Sequence, residues 1–251
     1  MGFQLAIPLG GLGSRFSTAG YGQPKPFLDL FGRAMLEVVI ENLTYESTSS
    51  LLLVALREHS DLLDPLVEKL NNSTFLDESK SLEVVYLETL SEGPAHSIWL
   101  GREKLDPNLP LIIANSDQFI EGGIGALYRH MSEHNEENAV LLLEDTDPKW
   151  SFARLDAEGY IAEIKEKQPI SNHATAGVYG FSKARQFFVG FADMQAAGDR
   201  TNGEFYVGPI FNYVTNRTRG LHLGLPGERF HGLGIPEDFE NFKKLYSGGI
   251  P

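Results

Sequence analysis

Cysteine is absent from the 251-residue sequence, which excludes disulfide bonds, thiolate metal ligands and a cysteine nucleophile. Long apolar runs are absent as well, because stretches such as residues 51–56 fall far short of the roughly 20 residues that a membrane-spanning helix requires. No basic region precedes the first apolar stretch. We therefore expect no signal peptide and a cytoplasmic location.

Basic residues are outnumbered by acidic ones. The sequence has 21 Lys and Arg against 34 Asp and Glu, a formal net charge of −13, and the acidic residues are spread along the chain. A broad negative field repels phosphate backbones and anionic lipids, so nucleic-acid and membrane partners are disfavoured. The hydrophobic content of 42% is enough for a folded core, and the length fits one large α/β domain.

Short apolar segments alternate with segments of helical periodicity in the first 145 residues. The predicted strands are 3–9, 51–57, 82–88 and 109–117, and the predicted helices are about 34–43, 61–70 and 94–104. Near-continuous apolar strands are typical of a parallel sheet with helices on both faces. This pattern predicts an α/β fold with a Rossmann-like, doubly wound, mostly parallel central sheet and a site at the carboxyl ends of its strands.

The second half, from about residue 146, has a different pattern. Its apolar segments 151–156, 160–165 and 174–181 are short and alternating, which predicts antiparallel strands. We expect them to form an added substrate-binding lobe that lies over the sheet as a lid or platform. Helices are predicted around 182–197, 205–216 and 237–246. No linker separates the halves, so the sequence predicts a single domain, 1–251, with two lobes.

A glycine-rich loop follows the first predicted strand. Gly10, Gly11 and Gly13 allow close backbone approach to an anion, with free amides directed towards it. Arg15 follows two residues after Gly13. The third glycine of a dinucleotide fingerprint is missing, and so is the Gly-Lys-Ser/Thr of a P-loop. Lys25 lies between two prolines that fix its backbone. Two fixed cations beside backbone amides suit a triphosphate and its leaving pyrophosphate.

Five segments in order resemble the sugar-phosphate nucleotidyltransferase (pyrophosphorylase) family. The opening GGLGSRF…PKPFLDLFGRAMLEVVIENL looks like the family's first signature, and ANSDQ (114–118) is similar to its metal-binding strand end. Further matches are AEIKEKQPISNHATAGVYGF (162–181), NGEFYVGPIFN (202–212) and GLGIPEDF (232–239). They resemble the acceptor-binding block, the acidic-aromatic helix start and the Gly-Thr-Pro-Glu-Asp ending. The sequence looks closest to small members of capsule and surface-glycan pathways, which include cytidylyltransferases.

The resemblance implies a role for each matching residue, with nucleotide binding in about residues 1–145 and acceptor binding in about residues 146–251. Arg15 and Lys25 are the implied catalytic cations, and Asp117 is the implied ligand of Mg²⁺. The implied nucleotide-binding residues are Leu9, Gly10, Gly11, Gly13, Glu92, Gly93 and Ser116. The implied acceptor-binding residues are Glu166, Lys167, Asn172, Gly177, Tyr179 and Glu204. The implied reaction joins a nucleoside monophosphate to a sugar-1-phosphate or another small phosphorylated metabolite and releases pyrophosphate.

Two features depart from the family pattern. Gly232 stands where the best-known sugar members have an aspartate that binds the metal. Either Asp117 holds Mg²⁺ with phosphates and water, or an acid such as Glu204 or Asp238 contributes. The loop SEGPAHS (91–97) lacks the base-binding pattern of thymidylyl and adenylyl members, which favours CTP or UTP.

Two other activities stay open. A glycosyltransferase of related fold would use a nucleotide-sugar donor, but it predicts an Asp-x-Asp pair where residues 115–117 are Asn-Ser-Asp. A non-catalytic nucleotide-sensing homologue would not need the full set of cations and the aspartate. The sequence leaves open whether the chain is a monomer or a homodimer.

Overall fold

The computed structural model describes residues 2–11, 13–73, 75–76, 80–134, 137–215 and 218–250. The strands in these ranges are β1 (Phe3–Leu9), β2 (Asp29–Leu30), β3 (Arg33–Ala34), β4 (Thr48–Leu56), β5 (Ser81–Leu87), β6 (Leu111–Ala114), β7 (Gln118–Ile120), β8 (Asn138–Glu144), β9 (Ser151–Leu155), β10 (Ile161–Glu166), β11 (His173–Phe181), β12 (Gly220–Gly224) and β13 (Phe230–Gly232). The α-helices are α1 (Ser14–Thr18), α2 (Met35–Leu43), α3 (Ser60–Asn71), α4 (Pro94–Leu100), α5 (Gly125–Glu133), α6 (Ala184–Ala197), α7 (Phe211–Val214) and α8 (Pro236–Leu245). Short 3₁₀ turns cover Lys25–Phe27, Arg57–His59, Arg102–Lys104, Gly208–Ile210 and Gly227–Arg229. Within the described ranges, no helix is long and apolar enough to cross a bilayer.

A central sheet, nine-stranded when counted over the described residues, contains strands from both halves of the sequence. Strands β5, β4, β1 and β6 are parallel neighbours in that order. Leu5 and Ile7 of β1 pack into one hydrophobic core, whereas Ala6 packs into a second core on the opposite face. Burial on both faces accounts for the near-continuous apolar strands. The predicted α/β fold with a mostly parallel sheet is thus confirmed.

Strand β11 is the antiparallel strand that connects the two halves. It pairs with β6 from Val178↔Ala114 to Phe181↔Leu111 on one edge and with β8 on the other. The β9–β10 hairpin extends the sheet from the start of β11, and β12 runs parallel to β8. The expectation that these strands lie over the sheet is wrong. Eight of the nine β11 residues are buried, and an apolar strand of this kind needs cover on both faces.

Element boundaries differ from the predictions where glycine or proline intervenes. Helix α4 ends at Leu100 because Gly101 follows, and a 3₁₀ turn covers the rest of the predicted helix. The helix predicted at 205–216 is a 3₁₀ turn followed by the one-turn α7, because Pro209 supplies no N–H to a longer helix. Its predicted last residue, 216, lies outside the described residues. The strand predicted at 109–117 ends at Ala114, which leaves residues 115–117 as a loop.

Strands β7 and β13 form a separate two-stranded antiparallel sheet, which joins residues 230–232 to residues 118–120. Phe230 pairs with Ile120 and Gly232 with Gln118, and the Leu233 amide donates to the Asp117 carbonyl at 2.7 Å. Residues 230–238 therefore lie beside the loop that follows β6, and they form one wall of the site described next.

Candidate active site

Two adjoining cavities lie at the carboxyl ends of β1 and β6. The first cavity has a volume of about 470 Å³ and is lined by Pro8, Leu9, Gly10, Gly11, Ser14, Lys25, Pro26, Leu90, Ser91, Gly93, Pro94, Ser97, Asn115, Ser116, Asp117 and Glu204. The second cavity has about 250 Å³, and its lining includes Arg15, Lys149, Trp150, Ser151, Glu166, Lys167, Thr175, Gly177, Tyr179, Tyr206, Phe230, Gly232 and Asp238. Pro94, Asn115 and Asp117 line both, so the cavities meet at Asp117.

The glycine loop forms one wall of the first cavity. Leu9 ends β1, and Gly10 and Gly11 follow it along the cavity. Gly13 has φ +60°, a left-handed conformation that glycine adopts without steric cost, and α1 begins at the next residue. A Cβ on Gly13 would lie 3.1 Å from the Cβ of Lys25. The loop and the lysine are therefore packed directly against each other.

Lys25 and Asp117 form an ion pair at the floor of the first cavity. The Lys25 Nζ lies 2.8 Å from the Asp117 Oδ2, and the side chains are 17% and 27% exposed. Pro24 and Pro26 flank the lysine at the start of a 3₁₀ turn, in agreement with the fixed backbone expected from the sequence. A Cβ on Gly234 would lie 2.7 Å from the Asp117 carboxylate, so glycine is needed there for space.

A divalent cation bound at Asp117 would have to take further ligands from substrate and water. In the described part of the chain, no group of three or more His, Cys, Asp or Glu could hold a metal ion by itself. Mg²⁺ commonly uses one or two carboxylates together with phosphate oxygens and water. Asp117 faces both cavities, which is where such oxygens would be. Gly232 offers no side chain, and a Cβ there would lie 3.3 Å from the Asp238 carboxylate.

A buried carboxylate lies deep in the second cavity. Glu166 is 7% exposed, and the Ser151 hydroxyl donates a hydrogen bond to it. Burial raises the pKa of Glu166 above its ordinary value, against the opposing effects of Ser151 and the Lys167 charge. The neighbouring Tyr179 is hydrogen-bonded to Thr175 at 2.8 Å, and burial raises its pKa to about 12. This corner therefore presents hydrogen-bonding groups to a ligand, and the Tyr179 hydroxyl stays protonated near neutral pH.

Lys167 and Tyr206 connect the second cavity to the first. The Lys167 ammonium donates to the Tyr206 hydroxyl at 2.7 Å and lies 4.6 Å from the centre of its ring. The Tyr206 hydroxyl in turn donates to the carboxylate of Glu204, which lines the first cavity. A chain of ammonium, phenol and carboxylate thus crosses the boundary between the two cavities.

The structure brings together most of the residues predicted for the site, but not all. Glu92 is not among the described lining residues, and its carboxylate pairs with Arg200 at 3.0 Å. Asn172 is exposed outside both linings, and its carbonyl accepts a hydrogen bond from the Asp145 amide. Arg15 lines the second cavity rather than the one that holds Lys25. The other predicted residues lie on the cavities or, for Gly13, directly behind Lys25.

Several residues of the site are not apparent from the sequence. Asn115 lines both cavities, and its amide donates to the carbonyl of Gly177 at 3.0 Å. Its position two residues before Asp117, just after an apolar strand, is the signal that points to it. Tyr206 and Ser151 give no such signal, because their partners Lys167 and Glu166 lie 39 and 15 residues away in the chain.

Comparisons with known proteins identify the class. The nucleotidyl transferase family model matches residues 6–199, so the chain belongs to that family. The mannose-1-phosphate guanylyltransferase catalytic subunit beta of Dictyostelium discoideum is 26% identical over 180 residues, which are 70% of this chain and 48% of that protein. The chain therefore spans about half the length of this curated relative. The resemblance to sugar-phosphate nucleotidyltransferases is confirmed at the level of the family.

Solved structures agree with this fold. A nucleoside-diphosphate-sugar pyrophosphorylase from Vibrio cholerae RC9 superposes with a TM-score of 0.81 at 21% identity, and the match covers 96% of this chain and 99% of that one. An inositol-1-phosphate CTP transferase from T. maritima has a TM-score of 0.74 at 15% identity, with 100% and 98% covered. At these identities the likeness shows the fold alone.

Proposed function

We propose that the protein transfers a nucleoside monophosphate from a nucleoside triphosphate to a phosphorylated small acceptor and releases pyrophosphate. The observation that supports this activity best is the meeting of two cavities at Asp117. One cavity offers glycine-loop amides and Lys25 to a triphosphate, and the other offers Arg15 and Lys167 to a second phosphate. Such a pair of sites would hold two phosphorylated substrates end to end.

The reaction then needs little covalent chemistry from the protein. An oxygen of the acceptor phosphate attacks the α-phosphorus in line. As that P–O bond forms, the bond from the α-phosphorus to the bridging oxygen breaks, and its electron pair leaves with pyrophosphate. A phosphate dianion is already a nucleophile, so no general base is required. Lys25 and the loop amides hold the triphosphate and stabilise the charge that develops on the leaving group.

In this proposal Asp117 would hold Mg²⁺. The bound ion would polarise the phosphate oxygens and neutralise part of their charge. Lys25, which pairs with Asp117, would turn to the phosphates when the substrate binds. The proposed Mg²⁺ dependence is therefore linked to the same two residues that fix the triphosphate.

The finer proposal is a cytidylyl- or uridylyltransferase that makes a precursor of surface polysaccharide. Small groups around Ser91, Gly93 and Ser97 line the first cavity, where a pyrimidine edge would meet hydroxyl and backbone groups. The T. maritima relative is a CTP transferase by name, which is compatible with cytosine. Glu166 would accept hydrogen bonds from hydroxyl or amine groups of the acceptor. A homodimer in solution is part of this proposal, and light scattering would test it.

Pyrophosphate release tests the proposal. Each of the five common nucleoside triphosphates is combined with Mg²⁺ and a panel of sugar-1-phosphates and phosphocholine-type acceptors. We expect release only when one nucleotide and one acceptor are present together, and loss of release in Asp117→Asn. Asp61→Asn, an exposed change in α3, is the matched control and should react normally. Absence of both release and triphosphate binding would overturn the proposal.

A further inference from the structure

The Lys167 ammonium is held differently from the Lys25 ammonium. Lys25 pairs directly with a carboxylate at 2.8 Å. Among the described residues, no carboxylate lies within ion-pair distance of the Lys167 Nζ, and its partner is the neutral hydroxyl of Tyr206 at 2.7 Å. A phenol fixes the direction of an ammonium group without cancelling its charge. Lys167 is thus oriented but not neutralised by a direct ion pair.

The backbone of Lys167 has an unusual conformation that also fixes the direction of its side chain. Its φ is +56°, a left-handed conformation that a residue with a Cβ adopts only at a steric cost. The Lys167 amide donates to the Trp150 carbonyl at 2.9 Å, which secures this turn directly after β10. The strained residue lies on the second cavity, where strain of this kind is commonly retained to orient a functional group.

Tyr206 is itself anchored to the wall of the first cavity. Its hydroxyl donates to Glu204, and the amide and carbonyl of Phe205 bond to Glu92 and Ala95 at 2.7 and 3.0 Å. A Cβ on Gly93 would come within 2.7 Å of the Phe205 backbone, so the two segments are in close contact. The tyrosine therefore has a rigid support that belongs to the nucleotide side of the site.

We propose that Tyr206 is a positioning residue whose hydroxyl holds the un-neutralised Lys167 ammonium in place for the phosphate of the acceptor. The inference rests on the proposed function for the identity of that phosphate. Removing the hydroxyl would free the ammonium to move towards Glu204 or Glu166, and either ion pair would weaken its interaction with a phosphate.

The first experiment measures the binding of inorganic phosphate by calorimetry to the full chain and needs no turnover. The variants are Tyr206→Phe, Lys167→Ala and, as the control, Tyr213→Phe, which removes a hydroxyl bonded to Asp199 outside both cavity linings. We expect phosphate affinity to fall several-fold in the first two variants and to stay unchanged in the control. Unchanged affinity in Tyr206→Phe, with thermal unfolding like that of the wild type, would overturn the proposal.

The second experiment is a double-mutant cycle on the acceptor KM, with the active substrate pair found by the pyrophosphate assay. Tyr206→Phe should raise the acceptor KM about tenfold, as expected for losing a hydrogen bond to a charged group. The same change in a Lys167→Ala background should have less than a twofold effect, because no ammonium is left for the hydroxyl to hold. A purely structural role of the hydroxyl would instead give additive effects. Additive effects would contradict the positioning role while leaving the proposed function intact. Weakened phosphate binding without turnover of any pair would count against the proposed function alone.

Discussion

Replacement of Lys25 should change metal affinity and turnover in opposite directions. The Lys25 ammonium lies 2.8 Å from the Asp117 carboxylate, so it should compete with a divalent cation for that group. A charge-assisted hydrogen bond of this kind contributes about 1.5 kcal/mol, discounted for partial exposure. Lys25→Ala should therefore tighten the binding of Mn²⁺, used in place of Mg²⁺, by about tenfold when no nucleotide is present.

The same variant should lose turnover by a factor on the order of 10²–10³, because the charge that develops on pyrophosphate loses its cation. Mn²⁺ binding is measured by electron paramagnetic resonance of the free ion, and turnover by pyrophosphate release. Lys104→Ala is the control, since it breaks an exposed ion pair with Glu83 outside both cavity linings. Mn²⁺ affinity that stays unchanged or weakens in Lys25→Ala would refute the assignment of Asp117 as the metal ligand.

Two further predictions concern the stability of the free protein. Because burial raises the pKa of Glu166, the folded state binds the Glu166 proton more tightly than the unfolded state does. The contribution of Glu166 to the free energy of unfolding therefore falls as the pH rises from about 4.5 through the raised pKa. Glu166→Gln should lessen that fall when chemical denaturation is measured at a series of pH values, and the same pH dependence in both proteins would contradict this prediction. Gly177→Ala should lower the free energy of unfolding by more than Gly159→Ala, whose cost is about 1–2 kcal/mol. Both glycines have positive φ, but only Gly177 leaves no space for a Cβ, and equal losses in thermal melts would argue against that crowding.

Much of the fold was predictable because its signals are local. Continuous apolar segments mark β1 and β4, and glycines mark the loop after β1. The position of β11 was not predictable in this way, since its pairing with β6 joins residues more than sixty positions apart. Alternation of apolar and polar residues along a segment indicates a strand, but it does not determine which strand pairs with it.

In the site, too, local signals were predictable and long-range contacts were not. Lys25 and Asp117 were each predicted by motif, yet their ion pair joins residues 92 positions apart and emerges only from the fold. The prediction for Glu92 assumed that a loop residue faces the cavity, whereas Arg200, 108 positions away, holds its carboxylate. Short motifs predict which side chains have suitable chemistry, whereas contacts with residues distant in the sequence determine how those side chains are oriented.

The most direct test of the proposed reaction is ³¹P nuclear magnetic resonance of a mixture that contains the chain, Mg²⁺, the triphosphate and the acceptor. We expect the triphosphate signals to decline together with the acceptor phosphate while pyrophosphate and two coupled diphosphate resonances appear. Asp117→Asn should abolish all of these changes. Release of a nucleoside diphosphate when a nucleotide-sugar donor replaces the triphosphate would indicate glycosyl transfer, and binding of the triphosphate without any change in the spectrum would indicate a sensor. Either result would contradict the proposed nucleotidyl transfer.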